Sequence, residues 1–531
     1  MTRSIMTRTP RLAGFALFLA AIVGISAASG DEPERLIAPG AFGEHSTTTM
    51  WSPTLEWTLE NASYEGNPFD LVAKVTFTHE SGEEKHVTEM FYAGDDTWKF
   101  RFTGTRTGKW SYSTEAADPD LDGKSGTVTV RENEDPGIYG FMTHHVGPDG
   151  TKWARFAGSE GSKEAFVPQL VMYRDKPKQY HNRPEVVDAD IEEFINRHGF
   201  TGFHLRGPKW MTGDEPDFDT FEAVELLLRK THAAGGVVHI WCYGDGGGRD
   251  WGRNTPADKR FQRYLCARFG PLPGWSMGYG FDTYHIPASE SGEWYEYMHE
   301  HLGWFHHLGI RPACQGTKGR RMDKKELQEW NRPFDYTSSQ DYQPDYEEYV
   351  SWFSFVEGQP LMMEDRFRIR GWKGPRKNYT AEQTRRGLWH STLAGGSANI
   401  WANLTEPDGS YTKGGQSHPY PNAEQLKTYS VFFFDNHRFL KNMRRDNEGT
   451  DAYCLRDGRT HYVFYKENAS SIDMDLSGMD GSQPAVAVDT KREYREIDIG
   501  PLEPGEHTWN APRKSDWAIA VGTFPNGEDE D

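Results

Sequence analysis

Pro360-Leu-Met-Met-Glu-Asp-Arg-Phe decides the fold. A short apolar run that ends in an acid reads as a parallel strand, buried on both faces, that delivers Glu364 to its C-terminal rim. Buried parallel strands show continuous hydrophobic runs, and in a (β/α)8 barrel the chemistry lies where those strands end. Outward from this stretch, apolar runs of strand length alternate with helical stretches from residue 165 onward, the pattern of a parallel α/β domain. The strands are expected at Phe166–Met172, Gly202–Arg206, Val237–Tyr243, Gly274–Phe281, Gly309–Ala313, Phe334–Ser338, Pro360–Met363 and Ser397–Trp401. Eight such runs fit a closed TIM barrel. Between them, apolar residues at helical spacing predict helices around 190–196, 221–230 and 293–308, and Thr380-Ala-Glu-Gln opens another as a capping box.

The flanks read differently. Residues 44–135 carry short alternating runs such as Leu71-Val-Ala-Lys-Val-Thr-Phe-Thr and Trp98-Lys-Phe-Arg-Phe, separated by Gly, Asn and Asp turns, which predicts an antiparallel β-sandwich. After residue 446, Thr460-His-Tyr-Val-Phe-Tyr, Ala485-Val-Ala-Val and Trp517-Ala-Ile-Ala-Val predict a small C-terminal β-sandwich, followed by an acidic tail. At the other end, Arg3, Arg8 and Arg11 precede an apolar run from Leu12 to Ser26 and the small residues Ala27, Ala28 and Ser29. That is the pattern of a secretory signal peptide, too short for a membrane anchor, and it predicts a secreted or periplasmic protein. The expected division is therefore a signal peptide (1–28), an N-terminal β-sandwich with linker (29–150), a barrel (151–445), a C-terminal β-sandwich (446–524) and a tail (525–531).

A formal charge of −20 argues against a nucleic-acid partner, because phosphate binding needs a basic surface. The 14% aromatic content suits a carbohydrate, whose rings pack on flat apolar faces with polar edges. The oligomeric state is left open. Four cysteines, Cys242, Cys266, Cys314 and Cys454, match no zinc spacing. They allow at most one bridge, with Cys242 and Cys266 the nearest candidates, and buried free thiols are the alternative. No cofactor motif is present: Gly244-Asp-Gly-Gly-Gly-Arg lacks the Gly-Lys-Ser/Thr of a phosphate loop. A metal-dependent hydrolase needs paired histidines on one strand face. The first strand, Gln169-Leu-Val-Met-Tyr-Arg-Asp, supplies none, and His144-His145 precedes the barrel, so no metal site is expected.

Strand alternation assembles a candidate site. In Val238-His-Ile-Trp-Cys-Tyr-Gly-Asp, His239, Trp241, Tyr243 and Asp245 share a face; His204 and Arg206 point together; Asp282 ends Met277-Gly-Tyr-Gly-Phe-Asp. Strand six ends in Ser338-Ser-Gln-Asp, supplying Gln340 and Asp341. Strand seven gives Glu364 with Arg366 on the same parity, and strand eight gives Trp401. Carboxylates at the ends of strands four and seven are what hydrolysis of a glycosidic bond needs. One donates a proton to the leaving oxygen while the other attacks or stabilises the anomeric carbon. Of Trp210, Trp241, Trp251, Trp275, Trp372 and Trp401, two or three are expected to stack on sugar.

The stretches Met277-Gly-Tyr-Gly-Phe-Asp, Tyr336-Thr-Ser-Ser-Gln-Asp-Tyr, Pro360-Leu-Met-Met-Glu-Asp-Arg-Phe and Gly387-Leu-Trp-His-Ser-Thr-Leu-Ala-Gly-Gly-Ser-Ala-Asn-Ile-Trp resemble strands four, six, seven and eight of the apiosidase-like glycoside hydrolases. Asn67-Pro-Phe-Asp, Phe91-Tyr-Ala-Gly-Asp-Asp-Thr-Trp and Thr107-Gly-Lys-Trp-Ser-Tyr resemble the β-sandwich module that commonly precedes such barrels. The first resemblance implies a retaining glycoside hydrolase with Glu364 as nucleophile and Asp282 as acid/base; the strand-end reading places Arg206, His239, Trp241, Asp245, Gln340, Asp341, Arg366 and Trp401 around the sugar. Many related barrels carry Asn-Glu at the end of strand four where this chain has Phe281-Asp282, so Glu290 and Glu293 stand as alternative acids. The other functional reading is a non-catalytic carbohydrate-binding protein on the same scaffold.

Overall fold

The computed structural model describes residues 37–42, 45–174, 176–244, 254–312, 323–341, 343–367, 379–402 and 418–525, with the backbone alone of 365–367. Its centre is a (β/α)8 barrel. The strands are β1 (Gln169–Met172), β2 (Gly202–Arg206), β3 (Val237–Trp241), β4 (Trp275–Phe281), β5 (Leu308–Arg311), β6 (Thr337–Ser339), β7 (Leu361–Phe367) and β8 (Ala398–Ala402). The helices are α1 (Pro184–Ile191), α2 (Phe218–Ala233), α3 (Pro256–Phe269), α4 (Ala288–Leu302), α5 (Lys324–Asn331), α6 (Tyr346–Phe355), α7 (Ala381–Leu393) and α8 (Ala423–Ser430), one after each strand. All strand pairs are parallel, in the order β5-β4-β3-β2-β1-β8-β7-β6. The two ends of that order meet: the Asp335 N–H donates to the Leu308 carbonyl at 2.9 Å and the Ser338 hydroxyl to the Ile310 carbonyl at 2.8 Å.

Several boundaries move for local reasons. Strand one begins at Gln169, after Pro168, which has no N–H to give a ladder. The helix expected to reach Leu308 stops at Leu302, because Gly303 takes the left-handed conformation (φ 72°) and Leu308 already belongs to β5. Strand seven runs past Met363 to Phe367, so Glu364 lies inside it. The capping box at Thr380 forms: its hydroxyl accepts from the Gln383 N–H at 3.1 Å and the Gln383 side chain accepts from the Thr380 N–H at 2.9 Å.

Residues of one strand parity fill the barrel and those of the other pack under the helices. Leu170, Met172, Val237, Trp241, Tyr336, Met362, Ala398, Ile400 and Ala402 form the interior cluster. Phe203, Leu205, Val238, Ile240, Leu308, Ile310, Met363 and Trp401 belong to the outer core. The N-terminal end of the barrel is closed by a three-stranded antiparallel sheet (Met142–Gly147, Gly150–Phe156, Lys163–Ala165). Its Trp153 enters the interior cluster and donates from Nε1 to the Leu361 carbonyl at 2.8 Å.

The N-terminal sandwich has sheets of four and five strands around Trp57, Phe77, Phe100, Trp110 and Tyr112. It is tied to the barrel through charge: Arg101 pairs with Glu56 at 2.7 Å in the sandwich and with Glu225 of α2 at 2.8 Å, and Arg268 of α3 holds the other Glu225 oxygen at 2.7 Å. The C-terminal unit is a six-stranded antiparallel sheet. One face carries its own core around Phe464, Ile472 and Trp517; the other, through Tyr465, stacks on Trp389 of α7 at 5.0 Å. Asp516 binds Arg385 and Arg386 of α7 at 2.6 and 2.9 Å. Cys242, Cys266 and Cys454 are buried free thiols, so Cys242 and Cys266 form no bridge; Cys314 lies outside the described residues.

Candidate active site

Two strand irregularities build the site. Along β4 the register against β5 shifts between Gly278 and Phe281, and along β7 the register against β8 shifts between Met363 and Arg366. An extra residue in a strand re-aims the side chains beyond it, and such bulges recur beside active sites. The first lets Phe281 join the barrel interior and leaves Asp282 in the left-handed region (φ 55°), a conformation Asp tolerates better than most residues. The second holds Glu364, which follows inward-facing Met362 by two residues.

The two carboxylates meet on one guanidinium. Arg311, at the end of β5 and two residues beyond inward-facing Gly309, places Nη2 3.3 Å from Asp282 Oδ1 and Nε 3.3 Å from Glu364 Oε2. A planar guanidinium is only a few ångströms across. The facing carboxylate oxygens therefore stand no further apart than about 9.5 Å, the upper limit for an inverting pair, a bound that also includes the roughly 5–5.5 Å of a retaining pair. Arg311 and Glu364 have no exposed side-chain surface, whereas Asp282 is 32% exposed. The guanidinium carbon lies 5.1 Å from the Trp241 ring centroid and 5.4 Å from that of Phe281, so its charge is walled by aromatic faces.

Beneath this triad runs a chain of polar groups inside the barrel. Tyr336 reaches across the interior into space that two glycines leave open. A Cβ on Gly309 would fall 2.3 Å from the Tyr336 ring, and one on Gly278 would fall 2.9 Å from its hydroxyl. The Tyr336 hydroxyl is hydrogen-bonded to His239 Nε2 at 2.8 Å, and His239 Nδ1 to His204 Nδ1 at 2.9 Å. Burial pushes His239 down to about 3 and His204 well below its ordinary range, so both are neutral. Burial, with the Glu364 charge next, raises Tyr336 well above the usual phenol range, so the hydroxyl keeps its proton.

The other expected residues divide. Trp241, His239 and, at the rim, Arg206 share the interior face. Gln340 is buried just beyond β6. Asp341 turns toward α6, where it accepts from Trp352 Nε1 at 3.4 Å. Tyr243 lies past the end of β3 and faces α3, its hydroxyl accepting from Gln262 at 3.0 Å. Trp401 is not brought to the site: it points away from the interior and donates from Nε1 to Gln169 Oε1 at 2.8 Å under α7 and α8. Trp210 and Trp275 are likewise core residues that donate to the Cys242 and Phe269 carbonyls. Glu290 accepts from the Tyr279 hydroxyl at 2.9 Å and Glu293 from Asn254 at 2.6 Å, both on α4. Asp245, Trp251, Trp372 and the Arg366 side chain lie outside the described residues. Arg311 was not singled out by sequence reasoning. The signal available was its parity with Gly309 at a strand end.

Residues 47–117 match a family model described as a domain of unknown function, DUF5060. Among curated proteins none matches the sequence. Among solved structures, a "putative glycoside hydrolase" from Bacteroides vulgatus superposes with a TM-score of 0.66 at 15% identity, over 90% of this chain and all of the other. A glycoside hydrolase family 5 protein from the same organism superposes with a TM-score of 0.52 at 12% identity, over 72% of this chain and 97% of its own. At these identities the likeness is one of fold: the chain has the scaffold of glycoside hydrolases.

Proposed function

We propose that the protein is an exported glycoside hydrolase that cleaves the glycosidic bond of an oligosaccharide or polysaccharide by double displacement. The observation that carries this reading is the meeting of a β4 carboxylate and a β7 carboxylate on one buried guanidinium. Asp282, the member of the triad that solvent touches, donates a proton to the leaving oxygen as the sugar's bond to its leaving group breaks. Glu364 forms a new bond to the anomeric carbon. In the second half, water attacks that carbon, its proton returns to Asp282, and Glu364 leaves as a carboxylate. Full burial of Glu364 suits direct attack, since a carboxylate that touches no solvent is poorly placed to activate water on the opposite face of the sugar. The leaving group departs past Asp282, toward solvent. Trp241, buried against Phe281 and His204, walls the triad. The likeness of strands four, six, seven and eight to apiosidase-like enzymes supports assignment within that group, and the N-terminal apolar run supports export.

Incubation of the wild-type protein and Glu364→Gln with a panel of plant and algal glycans tests this. Release of reducing ends by the wild type and its loss in the variant are expected. The same burial of Glu364 favours a second reading, a carbohydrate-binding protein on a glycosidase scaffold, which predicts binding without cleavage in both proteins.

A further inference from the structure

One cation between two anions leaves an imbalance. Glu364, Asp282 and Arg311 together carry one net negative charge when all are ionised, and two of the three are wholly shielded from water. A carboxylate without solvent is driven toward its neutral acid, and a protonated Glu364 could not act as a nucleophile. Something must hold the charge on. From β2 the interior presents Arg206 and His204, from β3 His239, from β4 Asp282, from β5 Arg311 and from β6 Tyr336. Arg206, at the rim, is a second cation; the two histidines and the tyrosine are neutral, and Asp282 opposes a second negative charge. The guanidinium of Arg311 sits in ion-pair range of Glu364 and is fully buried beside the packed rings of Trp241 and Phe281, so that its field is felt at something nearer protein than bulk dielectric.

We propose that Arg311 is a positioning residue that sets the ionisation of the carboxylate pair: it keeps Glu364 an anion while holding Asp282 beside it at the mouth of the site. The inference rests on the reading of Glu364 and Asp282 as the working pair. Arg311 divides one charge between two oxygens at equal distance, 3.3 Å. When Asp282 carries the proton it is to donate to the leaving oxygen, its carboxyl is neutral and no longer competes for the charge of the guanidinium. The Arg311 charge then acts on Glu364 without an opposing charge on Asp282, at the moment Glu364 must be ionised. A lysine at this position supplies the charge but reaches one carboxylate at a time.

The test is a substrate-free carboxyl titration by carbon-13 NMR of protein labelled at glutamate, with Glu364→Gln used to identify the Glu364 resonance. In the wild type, Glu364 is expected to remain a carboxylate across about pH 6 to 8. In Arg311→Met its midpoint is expected to rise by at least one pH unit, with an intermediate rise in Arg311→Lys. Where hydrolysis is measurable, the acid limb of kcat/KM should move upward with it. A wild-type Glu364 that is protonated at neutral pH overturns the proposal without recourse to any variant, as does an unchanged midpoint in folded Arg311→Met. Because the titration uses no substrate, absence of hydrolysis on every glycan counts against the proposed function and leaves the titration to decide the role of Arg311.

Discussion

Glu225→Gln removes the charge that joins the N-terminal sandwich to the barrel. Glu225 is nearly buried on α2, between Arg101 of the sandwich and Arg268 of α3. Breaking one partner out of a buried ion pair costs about 3–5 kcal/mol, because the charges left behind remain desolvated. Arg101 keeps Glu56 at 2.7 Å, so the cost belongs at the lower end, ~3 kcal/mol, most of it from Arg268, which loses its carboxylate and keeps the Tyr264 hydroxyl at 3.0 Å. The acid dependence follows from the same residue. Burial pushes the Glu225 carboxyl up, but Arg101 and Arg268 together overcome it and hold it far below the ordinary range. A folded-state value below the unfolded one gives stability that is complete above about pH 5 and lost as pH falls toward the depressed value. Equilibrium urea denaturation followed by tryptophan fluorescence should therefore separate wild type and variant widely at pH 7, and much less at pH 3. A cost below about 1 kcal/mol at pH 7, the worth of an exposed pair, would refute the view that this contact is a desolvated brace. So would a gap of the same size at both pH values.

Gly309→Ala should cost about 1–3 kcal/mol in thermal or urea denaturation, because its Cβ would overlap the Tyr336 ring and displace the hydroxyl from His239. Trp241→Ala should lower kcat/KM at least tenfold. Trp401→Phe should leave it within about twofold while losing ~1 kcal/mol of stability with the hydrogen bond to Gln169. Asp282→Asn should reduce hydrolysis by about 10²–10⁴, whereas Glu290→Gln should change it little, because Glu290 is held by Tyr279 on α4.

The barrel was legible in the sequence because most of its strands are apolar runs separated by stretches of helical spacing, β6 (Thr337–Ser339) being the polar exception, and both flanking β units announced themselves by alternation. Glu364 was legible for the same reason. Its place inside β7 was not, since a bulge depends on the register against β8, which one strand does not encode. Trp401 was misplaced because β8 is buried on both faces: Ala398, Ile400 and Ala402 look inward, Asn399 and Trp401 outward, and hydrophobicity does not distinguish the two sets. Arg311 escaped notice because a lone arginine at a strand end reads as a solvated rim residue. Its burial is created by Trp241 and Phe281, which reach it from two other strands. The disposition of Asp282 toward this arginine, rather than of Glu290 or Glu293, is likewise a property of the closed barrel.

The central claim is that Glu364 forms the bond to the anomeric carbon. Glu364→Ala assayed with an activated aryl glycoside of the sugar that the wild type releases, with and without sodium azide, tests it most directly. The account predicts a loss of about a thousandfold or more, partial recovery on adding azide, and a glycosyl azide of inverted anomeric configuration as product. Hydrolysis by Glu364→Ala at the wild-type rate would contradict it.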